Sequence, residues 1–198
     1  MQTSSFSQTR PALVLFTSLT ILCGVLYPMA VAGIGSLAFP AQVGGSIVEH
    51  DGKAVGSRLI GQSFSSPRYF WGRPSATGPM PNNASGSSGA NQGPTNAALV
   101  DAVKGRVAAL RAADPSNRLR IPVDLVTASA SGLDPDISVA AARYQVDRVA
   151  AARKLGHDQV AALVEAHTEP QWLGFFGEAR VNVLALNLAL DAEAVHTR

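Results

Sequence analysis

The sequence predicts a single N-terminal transmembrane helix followed by an α+β, helix-rich soluble domain. Three observations predict it. Of 198 residues, the 38 from position 11 to position 48 include no Asp, Glu, Lys, Arg or His. The chain beyond them carries 15 of the 16 basic residues and all 14 acidic ones, so it is close to neutral. Past residue 94 the apolar residues recur at helical spacing between start and stop signals, whereas only short β-like runs come earlier.

The apolar run extends from Ala12 to about Gly35. A helix rises about 1.5 Å per residue, so about 20 residues cross a hydrocarbon core of ~30 Å and this stretch suffices. The predicted division is a cytoplasmic tail over 1–10, a transmembrane helix over 11–39 and an extracytoplasmic domain over 40–198. Pro11 suits the first turn, and Pro28 should kink the helix or end its regular part. Gly24, Gly33 and Gly35 are candidate partner contacts, because small residues let backbones approach closely in lipid. Tyr27 and Phe39 suit the interfaces. A cleaved signal peptide is the rival reading: Arg10, the run 12–27 and Ala30-Val31-Ala32 satisfy its three parts loosely, while apolar character continuing to Phe39 makes the core long for one. Arg10 lies before the span, and Lys53 and Arg58 follow only after Glu49, His50 and Asp51, which favours a cytoplasmic amino terminus and an outer domain.

Residues 46–61 show two β-like runs around Asp51-Gly52, a hairpin turn signal. Tyr69, Phe70 and Trp71 then cluster between two prolines. They are candidate partner contacts, with the covering of the domain's own core as the other reading. Trp172, Phe175 and Phe176 pose the same choice. Residues 72–94 are dominated by Gly, Ser, Pro and Asn; alone they read as a flexible linker, and inside a compact domain such a loop is either functional or a boundary. Thr95 or Asn96 can cap a helix that stops at Asp114-Pro115. The segment 121–132 suits a short strand or extended run. Asp134-Pro135 gives a helix start signal, with Val139, Ala142, Val146 and Val149 on one apolar face and Gly156 as its end. Arg143, Asp147 and Arg148 read as a charged helix face. The run 180–191 fits a strand or a helix, and a helix capped by Asn182 is expected.

Recognisable catalytic patterns are missing from the sequence. There is no P-loop, no H-E-x-x-H, no G-x-S-x-G and no dinucleotide fingerprint, and no catalytic residue is assigned. One cysteine and four scattered histidines make a poor metal site, so no metal ligand is assigned either. A net charge of +2 gives no reason to expect nucleic acid. His167-Thr168-Glu169 reads as a solvated helix end, and Ser129 and Ser131 as small residues leading into a capped helix.

RPALVLFTSLTILCGVLYPMAVAGIG, SRLIGQSFSSPRYFWGRPSAT, NASGSSGANQGPTN, PVDLVTASASGLDPDIS and RVNVLALNLALD together resemble the KdpC family, whose members are components of the bacterial Kdp potassium-transporting ATPase. The resemblance spans nearly the whole chain, in order. It implies membership of an inner-membrane complex with a channel-like potassium-binding subunit, a P-type ATPase subunit and a small single-span subunit. That complex hydrolyses ATP to import potassium, while the KdpC component has neither the ion pathway nor the phosphorylated aspartate. The resemblance further implies a catalytic-chaperone role that raises the ATPase subunit's affinity for ATP, through a glutamine that corresponds here to Gln145, the candidate nucleotide contact. ATP thus enters at the level of the complex, potassium is the transported ion, and no cofactor is assigned to this chain. A domain outside the membrane cannot reach cytoplasmic ATP across ~30 Å of bilayer, so an influence through conformational coupling is the expected route. The alternative from another class is a cleaved, exported ligand-binding domain unrelated to transport.

Overall fold

A computed structural model describes residues 6–196. Of the predicted tail over 1–10, residues 1–5 lie outside the described residues. The chain divides into two compact units, residues 1–47 and 48–198.

The first unit is a long helix with one irregularity. α1 (Phe6–Ile21) passes through a π-helical stretch, Leu22–Leu26, into α2 (Tyr27–Ala38). The π turn lies directly before Pro28, whose ring would otherwise press on the carbonyl four residues back; Tyr27 N–H reaches back to the Leu22 carbonyl instead. The helix therefore loses its regular geometry at the proline but continues beyond it. Pro11 sits inside α1 rather than in its first turn, because helical backbone extends back to Phe6. The 31 residues Gln8–Ala38 are long and apolar enough to cross a membrane by length and composition. A short helix, α3 (Pro40–Val43), follows.

The second unit begins with a hairpin of β1 (Ile47–His50) and β2 (Lys53–Ser57). Its turn has positive φ at both Asp51 (51°) and Gly52 (71°), the pairing that a two-residue hairpin loop demands. α4 (Ala97–Ala113) starts where Asn96 Oδ1 accepts the Ala98 N–H at 2.9 Å and stops at Asp114. The segment 121–132 supplies a 3₁₀ turn, Val123–Leu125, rather than a strand. β3 (Asp136–Ser138), β4 (Thr168–Glu169) and β5 (Arg180–Asn182) form a small antiparallel sheet in the order β3-β5-β4, with Ile137 opposite Val181. α5 (Val139–Arg153), α6 (His157–Ala166) and α7 (Val183–His196) complete it.

One start signal and one stop signal are displaced from their sequence positions. Asp134-Pro135 leads into β3, not a helix, because Asp136 pairs with Asn182 across the sheet. The helix begins four residues later, where Ser138 Oγ accepts the Ala141 N–H at 3.0 Å. Lys154, at φ 60°, ends α5, and Gly156 opens α6 instead of closing α5. Asn182 does cap α7, its Oδ1 accepting the Ala185 N–H at 3.1 Å, while its own backbone remains in β5.

α5 is the centre of the core. Ala142, Val146 and Val149 are buried as expected, but so are Ala141, Tyr144, Gln145, Arg148 and Ala150. They pack with Phe70, Ile137, Val160, Val164, Val181, Leu186 and Leu190. A helix buried on most of its surface must find partners for its polar side chains, and this requirement shapes the site described next.

Candidate functional site

Residues 67–71 (Pro-Arg-Tyr-Phe-Trp) form no regular element and run from exposed Pro67 and Arg68 to Phe70, which is buried in the core between half-buried Tyr69 and Trp71. Their backbone groups thus lack ladder partners, and burial demands that something else bond them. Side chains from α5 and α7 do so. Asn187, 1% exposed, closes a two-bond clamp on Phe70: the Phe70 N–H donates to Oδ1 at 2.8 Å and Nδ2 donates to the Phe70 carbonyl at 3.0 Å. Gln145, also 1% exposed, does the same to the next residue, taking the Trp71 N–H at 2.8 Å and donating to the Trp71 carbonyl at 3.1 Å.

Two arginines satisfy the remaining carbonyls. Arg148 Nη1 donates to Pro67 (2.7 Å) and Tyr69 (3.1 Å), and its Nη2 to Gln145 Oε1 (2.6 Å). Its guanidinium also stacks 4.4 Å from the Trp71 ring centroid. Arg153 donates from Nε to the Arg68 carbonyl (2.6 Å) and from Nη2 to Asp191 (2.8 Å), a carboxylate that also accepts the Tyr69 hydroxyl. Arg148 is buried, not part of a charged surface as its neighbours Arg143 and Asp147 are; those pair in the open with Glu165 and His157. Burial pushes the Arg148 pKa down to about 10, with Asp114 and Tyr144 opposing the shift, so it keeps its charge at neutral pH.

Gln145 has four hydrogen-bonding positions: two on the oxygen and two on the nitrogen. All four are occupied within the chain, by the Trp71 N–H, Arg148 Nη2, the Trp71 carbonyl and the Ala141 carbonyl at 3.2 Å. None remains for a phosphate or a base. Phe70 is completely buried in the domain's own core, whereas Tyr69 and Trp71 are half-buried. In the long apolar helix, a Cβ at Gly24 or Gly33 would meet nothing within 4 Å, and one at Gly35 would lie 3.2 Å from Val43.

The loop 72–94 packs against residues 127–134. Ser75 Oγ donates to the Gly132 carbonyl at 2.7 Å and accepts the Asn82 N–H at 2.9 Å, and the Ser129 N–H reaches the Pro74 carbonyl at 3.1 Å. The Ser88 N–H reaches the Ser131 carbonyl at 2.9 Å. Gly132 has φ 69°, and a Cβ there would fall 2.5 Å from the Ser88 carbonyl oxygen. Only glycine permits that approach. Within the loop itself a Cβ at Gly89 would fall 2.6 Å from the Ala130 carbonyl oxygen, so the composition that suggested a linker serves close backbone contact. Ser129 is 3% exposed, with its hydroxyl 3.4 Å from that of Ser131. Arg73 anchors the same region, pairing with Asp134 at 2.9 Å.

The other aromatic cluster lies outside the core. Trp172 and Phe176 exchange backbone hydrogen bonds (3.0 and 2.9 Å) around a tight turn, with positive φ at Leu173 (55°) and Gly174 (79°). The turn holds Trp172, Leu173, Phe175 and Phe176 in solvent, each 52–69% exposed. The Phe175 and Phe176 rings touch with centroids 4.2 Å apart, tilted 37° to one another. Four large apolar side chains within five residues form a patch, unlike the scattered exposed Leu59, Met80 or Leu119.

The sequence reading missed Asn187, Arg153 and the burial of Arg148. A signal for Asn187 was available: one amide inside the apolar run VLALNLAL, four residues before Asp191. Among the described residues no group of three or more His, Cys, Asp and Glu side chains is placed to hold a metal ion.

The chain is similar to known proteins along most of its length. The family model "KdpC: K+-transporting ATPase, c chain" matches residues 9–192. A protein of Herminiimonas arsenicoxydans named Potassium-transporting ATPase KdpC subunit is 66% identical over 185 residues, covering 93% of this chain and 97% of its own length. Proteins of the same name from Janthinobacterium sp. (strain Marseille) and Methylibium petroleiphilum are 66% and 62% identical, covering 93% and 92% of this chain and 98% and 95% of their own.

Proposed function

The chain belongs to the KdpC family, the c chains of potassium-transporting ATPases, and on that footing we propose that it is a non-catalytic accessory subunit that docks onto its partners and biases their conformation. The partners are the channel-like potassium-binding subunit, the P-type ATPase subunit and the small single-span subunit. The helix Gln8–Ala38 anchors it in the inner membrane, with the amino terminus in the cytoplasm and the second unit outside. In the bilayer, Gly24, Gly33 and Gly35 allow a neighbouring helix to approach.

The observation that carries this reading is the exposed tip at 172–176. A turn closed by two backbone hydrogen bonds and displaying a tryptophan and two phenylalanines is costly to leave in water and concentrates binding energy when covered by another protein. Gln145 acts from within the domain, because its amide is fully used by Trp71, Arg148 and the Ala141 carbonyl. Any rise in the ATPase subunit's affinity for ATP is then a coupling free energy transmitted through contacts between subunits. ATP is bound and hydrolysed elsewhere in the complex, and potassium is its cargo.

The test is the double substitution Trp172→Ala and Phe175→Ala in the assembled complex. Its expected effect is a loss of co-purification with the other subunits, or potassium-stimulated ATPase activity reduced about ten-fold, while the isolated chain keeps its melting temperature. Unchanged assembly and activity would remove the tip as a docking element.

A further inference from the structure

Between the Gly-rich loop, α4 and residues 127–130 lies an open cleft of about 740 Å³. Two arginines line it, and no acidic residue does. Arg73 is neutralised by Asp134, with side chains 26% and 30% exposed. Arg106 is not neutralised: its Nη1 donates to the Val126 carbonyl at 2.8 Å, and among the described residues it has no carboxylate partner. Its Nε and Nη2 carry no hydrogen bond there. Asn91 and Gln92, which also line the cleft, make no side-chain hydrogen bond among the described residues.

We propose that this cleft binds an oxyanion, a carboxylate or phosphate group, held by Arg106 and assisted by Arg73 and the side-chain amides of Asn91 and Gln92. A half-buried guanidinium tethered by one carbonyl lacks the counter-charge that its environment favours, and the paired oxygens of a carboxylate or phosphate match its remaining donors. Consistent with that geometry, desolvation lowers the Arg106 pKa with no opposing acidic neighbour among its causes. Arg73, paired with Asp134 at 2.9 Å, lines the same cleft without adding net charge. A neutral or cationic ligand would leave Arg106 uncompensated. The group can come from an acidic side chain of a partner subunit or from a free anion, and these sources are separable.

The experiment uses the full chain in nanodiscs, titrated with sodium phosphate and sodium malonate against sodium chloride at equal ionic strength. The expected result is a concentration-dependent rise in melting temperature, weakened about ten-fold or more by Arg106→Gln, partly kept by Arg106→Lys and unaffected by Lys104→Gln on the exposed side of α4. In the assembled complex, an anion response that persists identifies a free anion. A response that disappears, together with poorer assembly of the Arg106→Gln variant, identifies a partner carboxylate. No response in the isolated chain, or an equal loss with Lys104→Gln, overturns the proposal. An Arg106→Gln chain with a lowered melting temperature in chloride alone is read through Arg106→Lys, which must retain some response if the charge is what binds.

Discussion

Gln145 and Trp71 are joined by a reciprocal pair of hydrogen bonds, 2.8 and 3.1 Å, across 74 positions of sequence. The side-chain amide stands where a neighbouring strand would stand. Asn187 repeats the device on Phe70 across 117 positions. Two buried amides on two helices thus substitute for a sheet and let an aromatic segment lodge Phe70 in the core without regular structure.

Removing this amide should unfold more than it unbinds. Gln145→Ala leaves the N–H and carbonyl of Trp71 and one donor of Arg148 unpaired in the core, a loss of about 2–4 kcal/mol. Chemical denaturation of the full chain in detergent should show it as a lower midpoint. Any binding of millimolar ATP measured by equilibrium dialysis should be the same in the wild-type chain and in a folded Gln145→Ala chain, because the amide has no position left for a ligand. A stable variant that had lost measurable ATP binding would reverse the structural assignment of Gln145.

Arg148→Lys is the sharper substitution on the same cradle, since it keeps the charge. An ammonium cannot bond the carbonyls of Pro67 and Tyr69 and the Gln145 oxygen while stacking on Trp71. A loss of about 1.5–3 kcal/mol is expected, and it should change little with salt because the group is buried. Thermal melts at low and high sodium chloride check both statements.

Asp136 should confer a pH dependence of its own. Burial raises its pKa above 3.8, and like charge from Asp134 and Glu169 adds to this; the Asn182 hydrogen bond and Arg180 oppose it. The folded state therefore holds this proton more tightly than the unfolded state. The resulting stabilisation is fully present below the unfolded pKa and is lost as pH rises through the folded one. Asp136→Asn should melt higher than wild type near neutral pH, with the gap closing as pH falls toward about 3.5. A gap independent of pH would mean that the carboxylate's ionisation plays no part.

Orientation can be read by labelling. With Cys23→Ser removing the chain's one thiol and Ser87→Cys placed on the exposed loop, a membrane-impermeant maleimide should label intact cells, the protein remaining at full mass. Labelling only after the inner membrane is breached would put the domain in the cytoplasm. A shortened labelled product would restore the cleaved, exported alternative.

Features set by neighbouring residues were legible from the start. An uncharged run long enough to span, the Asp51-Gly52 turn, and the caps Asn96 and Asn182 each depend on a few adjacent positions, so the sequence by itself determined them. It also carried the family, through segments distributed along the chain. Other features depended on partners far away. Arg148 looked like a surface charge because its acceptors, Pro67 and Tyr69, lie about eighty residues upstream. The loop 72–94 looked like a linker because Gly132, Ser129 and Ser131, which order it, come later in the chain. Asp134-Pro135 looked like a helix start because its competitor, pairing of Asp136 with Asn182, is a tertiary contact. Helix caps and turns close their hydrogen bonds within a few residues, whereas a buried polar group takes whichever partner the packed fold brings to it, and only the tertiary structure decides that.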